Sequence, residues 1–303
     1  MGPQRRAGND RYCAQRRQHP MMQIERVSDQ KEAIAFLKAN EDYSLFLMSN
    51  LETYGPTLGE SSYSGNYKLV RDDGKVIAVF CLVRSGTLLI QSERSDHLFF
   101  ESVLQSCLEE NIPITGLLGE WNFCSSFWQF LKKKGIIGSE TYVSKEVLYV
   151  ADLQHQFAEP QSNVRLLQLA DWGQWIDLRV AYIEEMKFPS QQSIDEIRVE
   201  FERDVEMKIA WGLFLQEELV SIADLNAKAI DLGQVGGVFT VPQHRKKGFS
   251  SAVMRQLMHD AKHLHNLRKL IIFTGEDNIS ARKVYESLGV AAIGNYALLF
   301  GDQ

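Results

Sequence analysis

Val235-Gly236-Gly237-Val238-Phe239-Thr240-Val241-Pro242-Gln243-His244-Arg245-Lys246-Lys247-Gly248-Phe249-Ser250-Ser251-Ala252-Val253 is the stretch on which the fold turns. It reads as a strand, a stop, a basic glycine turn and a helix. Residues 238–241 are β-branched or aromatic at every place, which favours an extended strand. Pro242 has no N–H and ends the ladder. Gly248 lets the backbone approach whatever lies above the turn. From Ser250 the apolar residues fall at Val253, Leu257, Ala261 and Leu264, which is helical spacing. Consecutive N–H groups feeding a helix N-terminus make an anion site, because unpaired donors and the positive end of the dipole point the same way. Lys246 and Lys247 add positive charge beside it.

Two segments resemble a known family. Arg245-Lys246-Lys247-Gly248-Phe249-Ser250 resembles the R/Q-x-x-G-x-G/A signature of the GNAT superfamily of acyl-CoA-dependent N-acyltransferases. Downstream, Asn278-Ile279-Ser280-Ala281-Arg282-Lys283-Val284-Tyr285-Glu286-Ser287-Leu288-Gly289-Val290 is similar to the family's N-x-x-A-x-x-x-Y-E-x-L-G-F segment. The resemblance covers residues 163–303 and is best over 237–289. Ser250 stands where glycine or alanine is usual, and Val290 replaces an aromatic.

Outward from this core, the 303-residue length suggests two domains. A hydrophobic content of 45% and charged content of 24% are ordinary for a globular protein. The net charge of −6 argues against a nucleic-acid binder. Cys13, Cys81, Cys107 and Cys124 are widely spaced, which fits buried thiols in a reducing cytosol. The apolar run 76–90 is too short to span a bilayer. His259 and His263 are four apart, with no acidic ligand at a metal-site spacing, so no metal is expected. Residues 1–21 hold five arginines and one acid and are expected to be a disordered leader; a transit peptide lacks its apolar face here, and an upstream extension ending before Met21 or Met22 is the plainer reading.

The coarse pattern predicts an N-terminal domain over 22–155, a polar linker, and a C-terminal domain over 163–303 with the same order of elements. Asp73-Gly74 between apolar runs signals a hairpin. Ser28 is expected to cap a first helix. A helix over 95–110 is expected to bury Leu98, Val103, Leu104 and Leu108. Phe188-Pro189 should break a helix begun after Asp171. The stretch 114–121 is aligned with 235–242, so Glu120 is expected where the phosphates would lie, making the first half a degenerate copy without cofactor. With the resemblance, the fold class is α/β (α+β): two tandem GNAT-like domains, each a mixed, mostly antiparallel sheet flanked by helices.

The resemblance implies acetyl-CoA as acyl donor and direct transfer to an amine, in a small molecule or a peptide. The N–H groups of Lys246, Lys247, Gly248, Phe249, Ser250 and Ser251 would hold the pyrophosphate. Those of Val238, Phe239 and Thr240 would polarise the thioester carbonyl, with Gly236 and Gly237 easing a splay of the strand. Asn278 would bind the pantetheine arm, and Tyr285 would protonate the leaving thiolate. The proton acceptor for the amine is left open among Glu276, Asp224 and Gln234. A non-catalytic acyl-CoA sensor or scaffold is the alternative. A cytoplasmic protein with no nucleic-acid or membrane partner is expected.

Overall fold

The computed structural model describes residues 22–155, 159–187 and 192–302. The expected leader over 1–21 and the helix break at Phe188-Pro189 lie outside the described residues. The first half runs β1 (Gln23–Arg26), α1 (Gln30–Ala39), α2 (Glu41–Tyr54), β2 (Gly65–Asp72), β3 (Lys75–Val83), β4 (Thr87–Ser92), α3 (His97–Leu108), β5 (Gly116–Glu120), α4 (Trp121–Lys133) and β6 (Ser139–Asp152). The second half repeats that order: β7 (Val164–Leu166), α5 (Trp172–Met186), α6 (Ile194–Glu206), β8 (Ala210–Leu215), β9 (Glu218–Ala229), β10 (Leu232–Thr240), α7 (Phe249–His263), β11 (Lys269–Gly275), α8 (Ile279–Ser287) and β12 (Ala291–Asp302).

All twelve strands form one sheet, ordered β1-β2-β3-β4-β5-β12-β6-β11-β10-β9-β8-β7. Adding six to each first-half number maps this order onto its own reverse. The halves are therefore related by a pseudo-two-fold between β6 and β12. Each half completes its sheet with the other's last strand: β6 pairs with β11, and β12 pairs with β5. The two exchanged strands pair with each other from Ala291↔Val150 to Asp302↔Ser139. The expectation of two flanked, mostly antiparallel sheets becomes one continuous sheet with reciprocal strand exchange.

The topology also corrects the internal alignment. The counterpart of β10 is β4, and β5 corresponds to β11. The stretch 114–121 therefore does not stand in for the phosphate turn. Its true counterpart is 93–96, between β4 and α3. Glu120 caps α4, accepting from the Phe123 N–H at 2.8 Å, which is the place Asn278 holds before α8.

Local chemistry accounts for most element ends. Asp73 and Gly74 both take positive φ, as a two-residue hairpin between twisted strands requires. Ser193 and Glu196 form a reciprocal capping box at α6. Asp29, not Ser28, caps α1. Helix α3 is two residues shorter at each end than expected; at its start the Asp96 carboxylate takes the Leu98 and Phe99 N–H groups. Phe99, Phe100, Val103, Leu104 and Cys107 share one arc of the helix and are buried, while Leu98 and Leu108 fall outside it and face outward.

The helices α3, α4, α7 and α8 cover one sheet face, and α1, α2, α5 and α6 the other. Across the central pair, Tyr296 stands opposite Glu146 and Leu298 opposite Ser144 on the latter face. At the junction Arg268 and Lys269, next to β11, form ion pairs with Glu41 of α2, Lys269 also with Asp42, and Arg268 also with Asp231.

Candidate active site

Parallel pairing of β10 with β11 runs from Leu232↔Lys269 to Val235↔Ile272 and stops. Strand β11 continues against β6 as far as Gly275↔Glu146, while β10 shifts register against β9 between Gly236 and Phe239. The two strands therefore part beyond Val235, leaving the β11-facing edge of 236–240 unpaired. Glycine is needed at this bulge. Gly237 has φ +58°, and a Cβ there would run into the Asp224 carboxylate; one on Gly236 would run into the Asn226 amide. Val238, Phe239 and Thr240 lie on this free edge.

Directly after it, Pro242–His244 form a single 3-10 turn. Lys246 and Gly248 then adopt left-handed φ of +61° and +82°. Among the described residues, the N–H groups of Lys246, Lys247, Gly248, Phe249, Ser250 and Ser251 have no acceptor within the protein; the first helical bond is Ala252 N–H to Gly248 O at 3.0 Å. Six consecutive donors at the positive end of a fifteen-residue helix fit a polyphosphate. The loop is fixed from behind. Arg245 donates through Nε to Thr240 O at 3.0 Å and pairs with Glu185. The Ser250 hydroxyl bonds Thr240 at 2.8 Å, and Thr240 bonds Ser221 at 2.7 Å, so serine at this position adds a tie to β10 and β9.

On the other side of the gap, the Asn278 side chain caps α8 by accepting from the Ala281 N–H at 3.2 Å, and its amide N–H₂ makes no bond among the described residues. Tyr285 is buried against Tyr149, with ring centroids 5.6 Å apart. Burial pushes its phenol well above the usual range, and Tyr182 and Glu146 add to the rise. Tyr285 lies on the α7/α8 face, while Tyr182 and Glu146 lie on the α5/α6 side. They influence one another because the sheet is open between them.

The α5/α6 side holds a group of polar residues in a mostly apolar setting. Among the described residues, Asp224 is 8% exposed and its Oδ1 has no partner, and the Gln234 Oε1 is likewise buried and unpartnered. Unsatisfied buried oxygens are rare enough to need a reason. Burial raises Asp224 to about 6, with the Arg179 guanidinium offsetting part of the rise. Glu146 is 3% exposed and raised by burial, against a hydrogen bond from Ser144 that lowers it. Burial, and after it Asp224, push the Tyr182 phenol up to about 12. Tyr182 also meets the Phe239 ring edge-on, at 6.3 Å between centroids.

Of the three residues considered as proton acceptors, Asp224 and Gln234 are in the cleft. Glu276 is exposed and paired with Lys145 at 3.0 Å. Sequence reasoning missed Glu146, Arg179 and the placing of Tyr182. No local signal marks Glu146, since it comes from the first half and reaches the site only through strand exchange. Among the described residues, no group of three or more His, Cys, Asp or Glu is placed to hold a metal, and no helix is long and apolar enough to cross a membrane.

Comparison with known proteins agrees with this geometry. Residues 175–290 match the model of the acetyltransferase (GNAT) family. The search of curated proteins returned no match. Among solved structures, a Drosophila protein aligns with TM-score 0.66 at 12% identity, over 91% of this chain and 98% of that one. A GCN5-related N-acetyltransferase from Sphaerobacter thermophilus aligns at 0.59 and 13% identity, over 92% and 94%. A tandem GNAT protein from the clavulanic acid biosynthesis pathway aligns at 0.50 and 11% identity, over 92% and 98%. The chain has a GNAT fold, and the family model matches residues 175–290, within its second half.

Proposed function

We propose that the protein is an acyl-CoA-dependent N-acyltransferase, most simply an acetyltransferase, that transfers directly to an amine. The observation that carries this reading is the six-donor turn over 246–251 opening onto a splayed strand pair with an unpartnered buried carboxylate at its inner end. Acyl-CoA supplies the thioester carbon that the amine attacks. The Lys246–Ser251 amides would hold its pyrophosphate, and the Asn278 amide would donate to the pantetheine arm. The free edge at Val238, Phe239 and Thr240 would hydrogen-bond the carbonyl oxygen as negative charge develops there.

Asp224 would take the proton from the amine. A carboxylate raised to about 6 is ionised at neutral pH yet basic enough for the task. The C–N bond forms, the C–S bond breaks, and the leaving thiolate takes the Tyr285 proton. A phenol held above its usual range stays protonated until then.

Isothermal titration with acetyl-CoA and with CoA, beside thiol release in the presence of amines, tests the reading. Binding with amine-dependent thiol release is expected. Tyr285→Phe should bind acetyl-CoA within about twofold of wild type, since its ring packing is kept, and lose about tenfold to a hundredfold in kcat. Binding without turnover for any amine would leave a sensor. Absence of binding would end both readings.

A further inference from the structure

Resting on that reading, we infer that the acceptor is an amino acid: its amine is taken by Asp224 and its carboxylate by Arg179. The two residues are opposite charges in one cleft that do not pair with each other. Asp224 keeps an oxygen without a partner, and Arg179 makes no ion pair or hydrogen bond among the described residues. A cation and a buried carboxylate within electrostatic reach would ordinarily close on each other. Here the fold holds them apart. Asp224 is held on β9 opposite Gly236, and its carboxylate packs against Gly237, at the inner end of the splay. Arg179 is held on α5 by its guanidinium lying over the Tyr182 ring, 5.6 Å from its centroid. Tyr182 in turn abuts Phe239, on the edge that would polarise the thioester.

The sequence of contacts is thus reacting edge, aromatic ring, unpartnered guanidinium, with the carboxylate on the neighbouring strand. A ligand that joins these groups needs a positive nitrogen next to the reacting edge and an anion displaced from it. An amino acid has that arrangement. A planar guanidinium binds a carboxylate through two parallel bonds, which a neutral amide does not reproduce. A diamine would set a second ammonium against Arg179. A peptide N-terminus would place a neutral carbonyl there.

The charges balance. Asp224 removes one proton from the ammonium group and passes it to solvent. The nitrogen bonds to the thioester carbon and the C–S bond breaks. The thiolate takes the Tyr285 proton, and the nitrogen's remaining excess proton restores Tyr285 through solvent in the cleft. The products are an N-acyl amino acid and free CoA thiol.

The test is thiol release from acetyl-CoA with each standard amino acid beside its carboxamide, with acetyl-CoA binding measured on the same samples. At least one amino acid should be acylated with kcat/KM about a hundredfold above its carboxamide, the value of a charged bidentate pair. Arg179→Gln should raise KM for that amino acid at least about tenfold while kcat falls far less, as expected when binding common to ground and transition state is lost. Arg179→Lys should recover only part, because an ammonium is a point charge. Carboxamides or simple amines used as well as amino acids would overturn the inference and leave the acyltransferase reading standing. So would acetyl-CoA binding with no amino acid turned over. Loss of acetyl-CoA binding itself would instead bring down the reading on which the inference rests.

Discussion

The turn at 93–96 and the turn at 241–248 occupy the same place in the two halves, each linking the fourth strand to the helix that follows it. In the first, the Asp96 carboxylate accepts from the Leu98 and Phe99 N–H groups at 3.0 and 3.1 Å. Arg94 is spent on Asp96 and Asp72. The helix end is satisfied by its own chain, and a fixed negative charge sits where a phosphate would come. In the second, Gly248 stands at the cap with no side chain, and the donors stay open. Both helices have the same dipole. The capping residue, together with the turn before it, decides whether that dipole stabilises the fold or is left for an anion.

Several experiments would break or sharpen this comparison. The largest effect is expected from separating the halves. A fragment of residues 159–303 lacks β6, so β11 loses its antiparallel partner and Glu146 leaves the site. It should show no cooperative thermal transition and no acetyl-CoA binding by titration calorimetry. A folded fragment that binds would mean the exchange is dispensable.

Next comes Gly248→Asp, which gives the second turn the cap of the first. Acetyl-CoA affinity should fall on the order of a hundredfold, because the new carboxylate takes amide donors and repels phosphate. Thermal stability should change by about 1 kcal/mol at most, as the left-handed φ costs roughly what the cap returns. Unchanged affinity would remove the turn from the site.

Asp224→Asn separates chemistry from stability. Turnover should fall at least about a hundredfold with acetyl-CoA affinity kept. Asp224 has a folded value of about 6 against an ordinary 3.8, so the folded protein binds more protons between those limits. The stability this confers is present below about pH 4 and is lost as pH rises through 6, a total of about 3 kcal/mol. The variant should therefore melt higher than wild type at pH 8, and the gap should close on acidification to pH 4. A gap independent of pH would contradict the assignment. The smallest effect belongs to Asp96→Ala, which should cost about 1 kcal/mol by chemical denaturation and create no acetyl-CoA site, since no glycine turn precedes α3.

Much of the second half was legible. The stop at Pro242, the turn through Gly248 and the helix after it are contiguous, and short-range rules govern them. Asn278 and Tyr285 were legible as a spacing. The internal duplication was visible as repeated order, yet aligned on the wrong strand. The stretches 87–92 and 114–121 are both short, apolar strands leading into helices, and only sheet position tells them apart. Leu98 and Leu108 were placed inside because their spacing fits a helix; the larger Phe99 and Phe100 centre the buried arc instead. Arg179 carried no mark at all, since an arginine on a helix gains meaning only from what fails to pair with it.

The sequence by itself determined the basic glycine turn, because backbone conformation there depends on neighbouring residues: a proline that cannot donate, a glycine that tolerates positive φ, and a helix that begins without a side-chain cap. Tertiary structure alone decided which strand lies beside β11. Strands 139–152 and 291–302 are both long, and pairing is non-local, so nothing in either stretch says whose sheet it completes. That choice sets Glu146 of the first half opposite Gly275 at the end of β11, and with it the composition of the cleft.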